Sequence, residues 1–322
     1  MPSPFALAFL MLFSATAFGA DRSAAQDYPR KPIRIVTGEA GGGSDIAARQ
    51  IGQGLNDSLG IPVVIDNRGG SVVIQAGLAG QAQPDGHTLL FASTPFWLLP
   101  FMQSNVPYDP LKDFMPITLA TRASNVLVVH PGVAANTVKE LIAVAKQSAQ
   151  GLNYASTGTG SSTHLSAELF KAMAGVNLVR VGYKGSAPAL ADLISGQTQL
   201  MFITAVVATP QVKSGRLRAL AVTSLKPSPL LPDLPTISSS GLAGYESAVL
   251  TGMFVRAGTP APLVERINRE TVRALNRTEV RERQLSAGGE VVASTPDEFT
   301  AVLKSEMAKW SKVIRDAGIR AE

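Results

Sequence analysis

The sequence predicts an α/β fold arranged as two lobes with a ligand cleft between them. Three observations carry this expectation. Strand-like and helix-like patterns alternate along most of the chain. Two loops rich in glycine and hydroxyl residues stand at matching strand-to-helix junctions. And 322 residues is a length for which about two domains are the natural prior.

The chain opens on a short apolar run, Phe5 to Phe13, followed by the small residues Ser14, Ala15, Thr16, Ala17 and Gly19. This is the layout of a secretory signal with its cleavage site, so residues 1–19 are expected to direct export. No later segment offers the ~18 uninterrupted apolar residues that a membrane-spanning helix needs. The chain has no cysteine, which removes disulfides, thiol nucleophiles and thiolate-bound metals from consideration. A net charge of +5 suits anionic solutes. Nucleic acid is not an expected partner, because the basic residues are scattered and only 6% of residues are aromatic.

The elements follow in order. Residues 33–37 alternate as a strand, a glycine loop comes next, and 45–59 reads as a helix with Ile51, Leu55 and Leu59 on one face, stopped by Gly60. A strand over 63–66, a small-residue helix over 74–82, the turn Pro84-Asp85-Gly86 and a strand over 88–92 continue the alternation, which implies a parallel sheet. After a loop come strands over 117–120 and 126–129, a helix over 138–145 and a strand over 153–156. The second loop leads into a helix aligned by Leu165, Leu169 and Met173, then a strand over 178–181 and a short helix capped by Ser186. Strands over 200–203 and 217–223 precede Pro227, Pro229, Pro232 and Pro235, a crossover that cannot be regular structure. A strand over 248–256 and helices over 262–276 and 279–287 follow. The last helix is opened by Thr295-Pro296-Asp297-Glu298, a capping box, and carries an apolar stripe of Phe299, Val302, Leu303, Trp310, Val313 and Ala317.

Chemistry is concentrated in the two loops. The first is Thr37-Gly38-Glu39-Ala40-Gly41-Gly42-Gly43-Ser44-Asp45, the second Ser156-Thr157-Gly158-Thr159-Gly160-Ser161-Ser162-Thr163-His164. At the carboxyl end of a strand and the start of a helix, free N–H groups and the positive helix end favour an anion. Glycine allows close approach, and Ser44, Thr157, Ser161 and Ser162 add neutral donors. Asp45 either faces the helix dipole or braces the glycine loop.

Other chemistries fit less well. A phosphate loop needs Gly-Lys-Ser/Thr, whereas Gly43-Ser44-Asp45 puts an acid there. A dinucleotide fingerprint would find its ribose acid in Asp66, but Ile46 stands where its third glycine belongs. His87, His130 and His164 lack metal-ligand spacing, so no metal and no cofactor is expected. Ser161 or Ser162 with His164 suggests a hydrolase, yet no Gly-x-Ser-x-Gly elbow occurs, and no enzymatic activity is expected.

The chain resembles the Bug family, the extracytoplasmic solute receptors of tripartite tricarboxylate transporters. The resemblance is carried by Gly41-Gly42-Gly43-Ser44-Asp45, Asn67-Arg68, Pro84-Asp85-Gly86, Pro107-Tyr108-Asp109, Leu152-Asn153-Tyr154-Ala155-Ser156, Tyr183-Lys184-Gly185 and the run from Leu217 to Thr223. It implies a type II periplasmic-binding-protein fold, with 27–124 and 230–322 as one lobe and 125–229 as the other. It also implies a carboxylate held by both loops, one large and one small integral-membrane transporter subunit as partners, and a monomeric receptor. The implied ligand-facing set adds Ser93, Thr94, Tyr183, Ile203 and Thr204 to the loop residues. Three departures from the family pattern stand out. Thr37-Gly38-Glu39-Ala40 replaces Pro-Phe-x-Pro, which places the Glu39 carboxylate where it can face the ligand. Ile203 and Thr204 stand where many members carry an aspartate. Val72-Val73-Ile74-Gln75 replaces a Gly-Asn-Ile-Gly pattern.

Overall fold

The structure, a computed structural model, describes residues 28–40, 43–69 and 71–320. The expected export segment and Gly41 and Gly42 lie outside the described residues.

The first part of the chain runs β1 (Ile33–Thr37), α1 (Gly43–Leu59), β2 (Val63–Asn67), α2 (Val72–Gly80), β3 (Thr88–Ser93), α3 (Pro95–Met102) and β4 (Phe114–Val129). The middle part runs α4 (Val138–Gln147), β5 (Leu152–Ser156), α5 (Ser162–Ala174), β6 (Leu178–Gly182), α6 (Ser186–Ile194), β7 (Leu200–Thr204), α7 (Ala205–Lys213) and β8 (Arg218–Val222). A loop holding the four prolines leads to β9 (Ala248–Arg256), α8 (Ala261–Leu275), α9 (Thr278–Ser286), β10 (Gly289–Val291) and α10 (Pro296–Asp316).

The strands join in the order β2-β1-β3-β9-β4-β7-β5-β6, with β8 and β10 also paired to β4. The expectation of a parallel sheet holds only at the flanks. There β1 is parallel to β2 and β3, and β5 is parallel to β6 and β7, each joined through a helix. At the centre β9 is antiparallel to β3 and β4, and β4 is antiparallel to β7 and β8. The reason is β4 itself. The two expected strands are one of 16 residues, pairing with β9 up to Ser124 and with β7 from Asn125 onward. The chain therefore passes from one strand group to the other within a single strand rather than by a helical crossover.

It returns between Thr223 and Ser247, and a buried polar network ties the two passages together. Asn125 N–H donates to Thr223 Oγ1 (2.9 Å), Thr223 N–H to Asn125 O (2.9 Å) and Ser247 N–H to Thr223 O (3.0 Å). Asn125 Nδ2 donates to Ser166 Oγ (3.3 Å), whose hydroxyl shares a hydrogen bond with Ser247 Oγ (2.8 Å). The backbone pairing of Asn125 with Thr223 and the hydroxyl link through Ser166 and Ser247 fix one arrangement of the passages, although the Asn125 side-chain oxygen has no partner among the described residues.

Helix α3 occupies a stretch expected to be loop, and it carries Pro95 and Pro100 and side chains that are apolar all round. Packing holds it instead. Phe96 stacks on Tyr108 at 5.1 Å and meets Phe114 and Phe254 edge-on, and Tyr108 OH donates to Phe96 O (2.7 Å). Helix α7 and strand β10 were likewise unread, and α6 is preceded by Gly185 as its cap, with Ser186 the first helical residue. The capping box of α10 forms as its spacing requires. Glu298 N–H donates to Thr295 Oγ1 (3.2 Å) and Thr295 N–H to Glu298 Oε2 (2.9 Å). From that start Phe299 packs onto β9 at Gly252, where any Cβ would overlap its ring.

Candidate functional site

A cavity of about 250 Å³ opens between the end of β3 and the start of α5, where the two strand groups face each other. Ser93, Thr94 and Pro95 line it from one side, Gly160, Ser161, Ser162 and Leu165 from the other. Ser247, Ala248 and Val249 close it along the return passage, and Trp310 of α10 forms part of its wall.

The α5 side is built by its cap. Ser161 Oγ accepts from His164 N–H (3.3 Å) and hydrogen-bonds the Thr163 hydroxyl (2.9 Å). That leaves the N–H groups of Ser162 and Thr163, in the first helical turn, without an intrahelical partner. Gly160 turns the chain into the helix with φ +74, and a Cβ there would lie 2.8 Å from Met102 Sδ. Its N–H donates to His164 Nδ1 (3.1 Å). His164 is 4% exposed, and its pKa is lowered to about 4 by burial first, then by the charges of Arg180 and Lys171. A neutral imidazole whose Nδ1 accepts from the backbone is a structural strut. The serine hydroxyls and this ring do not form the nucleophile and base that a hydrolase needs.

Arg180 of β6 holds the rest of the second loop. Its Nε donates to Ser156 Oγ (2.9 Å), Nη1 to Thr159 Oγ1 (3.1 Å) and Nη2 to Thr157 O (3.1 Å). Thr157 N–H in turn donates to Thr163 Oγ1 (2.9 Å), while Gly158 O accepts from Ser161 N–H (3.1 Å). The loop is thus a braced unit that carries a guanidinium.

The first loop is braced too, but its described residues do not line the cavity. Asp45 is 3% exposed, and its carboxylate accepts from Asn67 Nδ2 (2.8 Å) and forms an ion pair with Arg49 Nε (3.0 Å). Asn67 Nδ2 also reaches Gly38 O (3.0 Å), so Asp45 is a bracing group, one of the two roles open to it. Ser44 is half-buried in the first turn of α1, which Gly43 opens, and Glu39 is solvent-exposed beside Gly69. Asp66, the acid of the dinucleotide alternative, is held in ion pairs by Arg34 and Arg68.

Of the other candidate residues, Thr94 is occupied: its hydroxyl accepts from Leu250 N–H (3.1 Å). Tyr183 OH donates to Asp192 Oδ2 (2.8 Å), and desolvation first, then this bond and the Asp192 charge, push its pKa up to about 12. Thr204 stands at the cap of α7 without a side-chain cap bond. Neither Tyr183 nor Thr204 lines the cavity. Ile203 corrects an expectation. It is 2% exposed and packs in the apolar cluster with Val126, Ala155 and Leu193, because alternation along β7 turns it into the core. The second loop and the end of β3 are therefore brought together, and the described part of the first loop is not. Unforeseen were Ser247 and Val249, which follow a crossover without local pattern. Leu165 and Trp310 read as core and line the cavity as well.

Comparison with known proteins gives a consistent result. The model of the tripartite tricarboxylate transporter family receptor matches residues 47–319. BugT of Bordetella pertussis (strain Tohama I) is 32% identical over 318 residues, 98% of each chain. Among solved structures, R. palustris Rpa4515 with adipate is 33% identical with a TM-score of 0.77, covering 92% of this chain and 100% of that one. MatC from Rhodopseudomonas palustris with bound malate is 29% identical with a TM-score of 0.73, covering 89% and 100%.

Proposed function

Since the chain belongs to the tripartite tricarboxylate transporter receptor family and has the two-lobed α/β fold of periplasmic binding proteins, we propose that it captures a small organic carboxylate between its lobes and delivers it to membrane transporter subunits. The carrying observation is the cavity between Ser93 and Ser162, which offers neutral donors from both sides at a helix N-terminus. Such donors stabilise an anion without the desolvation penalty of a buried counter-ion.

The lobes are 27–124 with 230–322, and 125–229, and the passages at Asn125 and at Thr223 to Ser247 serve as the hinge. A carboxylate that touches Ser93 and Ser162 together binds the closed arrangement better than the open one, and only such differential affinity drives closure. The closed form then docks on one large and one small integral-membrane subunit. Export by residues 1–19 places the receptor in the periplasm. No described helix is long and apolar enough to cross a membrane.

The test is a thermal-shift and calorimetric panel of aliphatic, aromatic, di- and tricarboxylic acids. A ligand at a hundred times its Kd should add about 2.7 kcal/mol to the stability. If no acid in the panel moves the melting temperature or gives a heat of binding, the receptor reading falls.

A further inference from the structure

We propose that the cavity selects small monocarboxylates with an apolar body over dicarboxylates and amino acids, a selectivity that rests on the receptor reading above. The ground is the balance of its lining. Of the hydroxyl residues in the wall, three are already engaged: Thr94 with Leu250, Ser161 with His164 N–H and Thr163, and Ser247 with Ser166. Ser93 and Ser162 have no side-chain partner among the described residues and stand on opposite sides of the cavity. With the N–H group of Ser162 they supply enough donors to hold one carboxylate and not two.

The remainder of the wall is apolar. Pro95, Leu165, Ala248 and Val249 present hydrocarbon, and Trp310 presents only its ring, since its indole N–H is donated to Glu306 Oε2 (2.9 Å). None of the described lining residues is ionisable. The acids nearest in the chain are engaged elsewhere, Glu246 with Arg122, Glu168 with Tyr154 and Lys171, and Glu306 with Lys309. A second carboxylate would therefore be buried against hydrocarbon, since the Lys309 ammonium, 5.2 Å from the centroid of the Trp310 ring, is already engaged by Glu306 and by Glu246 O, and an ammonium would find no carboxylate among the described lining residues. The volume of about 250 Å³ lies below the ~300 Å³ at which pockets begin to take drug-sized molecules, so the apolar body is small.

Three ligands of equal chain length separate the possibilities on the unaltered protein: hexanoate, adipate and 6-aminohexanoate, which end in a methyl, a carboxylate and an ammonium. Calorimetry should find hexanoate bound at least ~10-fold more tightly than either of the others. Replacing Val249 with lysine should narrow or reverse the gap for adipate, by giving its second carboxylate a partner, while leaving 6-aminohexanoate weak. Adipate or 6-aminohexanoate binding as tightly as hexanoate would overturn the selectivity and leave the receptor reading standing. Silence of all three beside binding of another di- or tricarboxylate would overturn the selectivity alone, and silence of every acid in the panel would overturn both.

Discussion

Arg180 and His164 show how two single residues set the character of the second loop. The guanidinium ties Ser156, Thr157 and Thr159 into one shape, and among the described residues no carboxylate lies within ion-pair distance of it. Its charge therefore adds to the positive end of α5 and, with burial and Lys171, holds His164 neutral with a pKa of about 4. The unfolded chain takes up this proton near pH 6.5, whereas the folded protein resists it down to about 4. Stability is therefore full above about pH 6.5 and falls as the pH drops toward about 4, by on the order of 3 kcal/mol. Arg180→Met should raise the His164 pKa in an NMR titration, shrink that acid loss and weaken carboxylate binding. An unmoved His164 pKa would mean that Arg180 acts on the loop by shape alone. The loop's hydroxyls and glycines were legible in the sequence, because cap and turn chemistry is local. Arg180 was not, since its partners lie more than twenty positions away and a lone arginine in a strand carries no pattern. Ile203 was misplaced for the complementary reason: its alternation was readable, but the resemblance put it in the cleft.

Among the elements, α10 was the most legible and carries a packing constraint that the sequence hides. Its start is written in Thr295-Pro296-Asp297-Glu298 and its buried face in Phe299, Leu303 and Trp310. What it packs against depends on Gly252 of β9, which leaves room for the Phe299 ring. Gly252→Ala should cost ~1–3 kcal/mol in chemical denaturation, the usual penalty for overpacking a filled core. A loss below the measurement error would show that the helix can shift outward freely. The elements that escaped reading each lacked a local period. Strand β4 looked like two because Arg122, Ala123 and Ser124 are half-exposed where it passes between the strand groups. Helix α3 is held by the stack of Phe96, Tyr108, Phe114 and Phe254, α7 contains Pro210, and β10 is three residues fixed by pairing with β4.

For the whole molecule, the alternation of strands and helices was enough to foresee an α/β chain in two parts, but not the antiparallel centre that joins them. That centre brings the candidate site together. Because β4 and the return to β9 run side by side, Asn125, Thr223 and Ser247 form one buried junction, and Ser166 links it to α5. Ser247 belongs both to this junction and to the cavity wall, so a ligand between Ser93 and Ser162 rests directly on the passages about which the lobes would move. Of the two loops that the sequence suggested would share a ligand, the second lines the cavity, and the described residues Ser44 and Asp45 of the first do not. A crystal structure of the protein with bound hexanoate tests this most directly. The account predicts carboxylate oxygens within hydrogen-bond distance of Ser93 Oγ and Ser162 Oγ, with the alkyl chain against Leu165, Val249 and Trp310. A ligand seated on the glycine loop after β1, with this cavity empty, would contradict it.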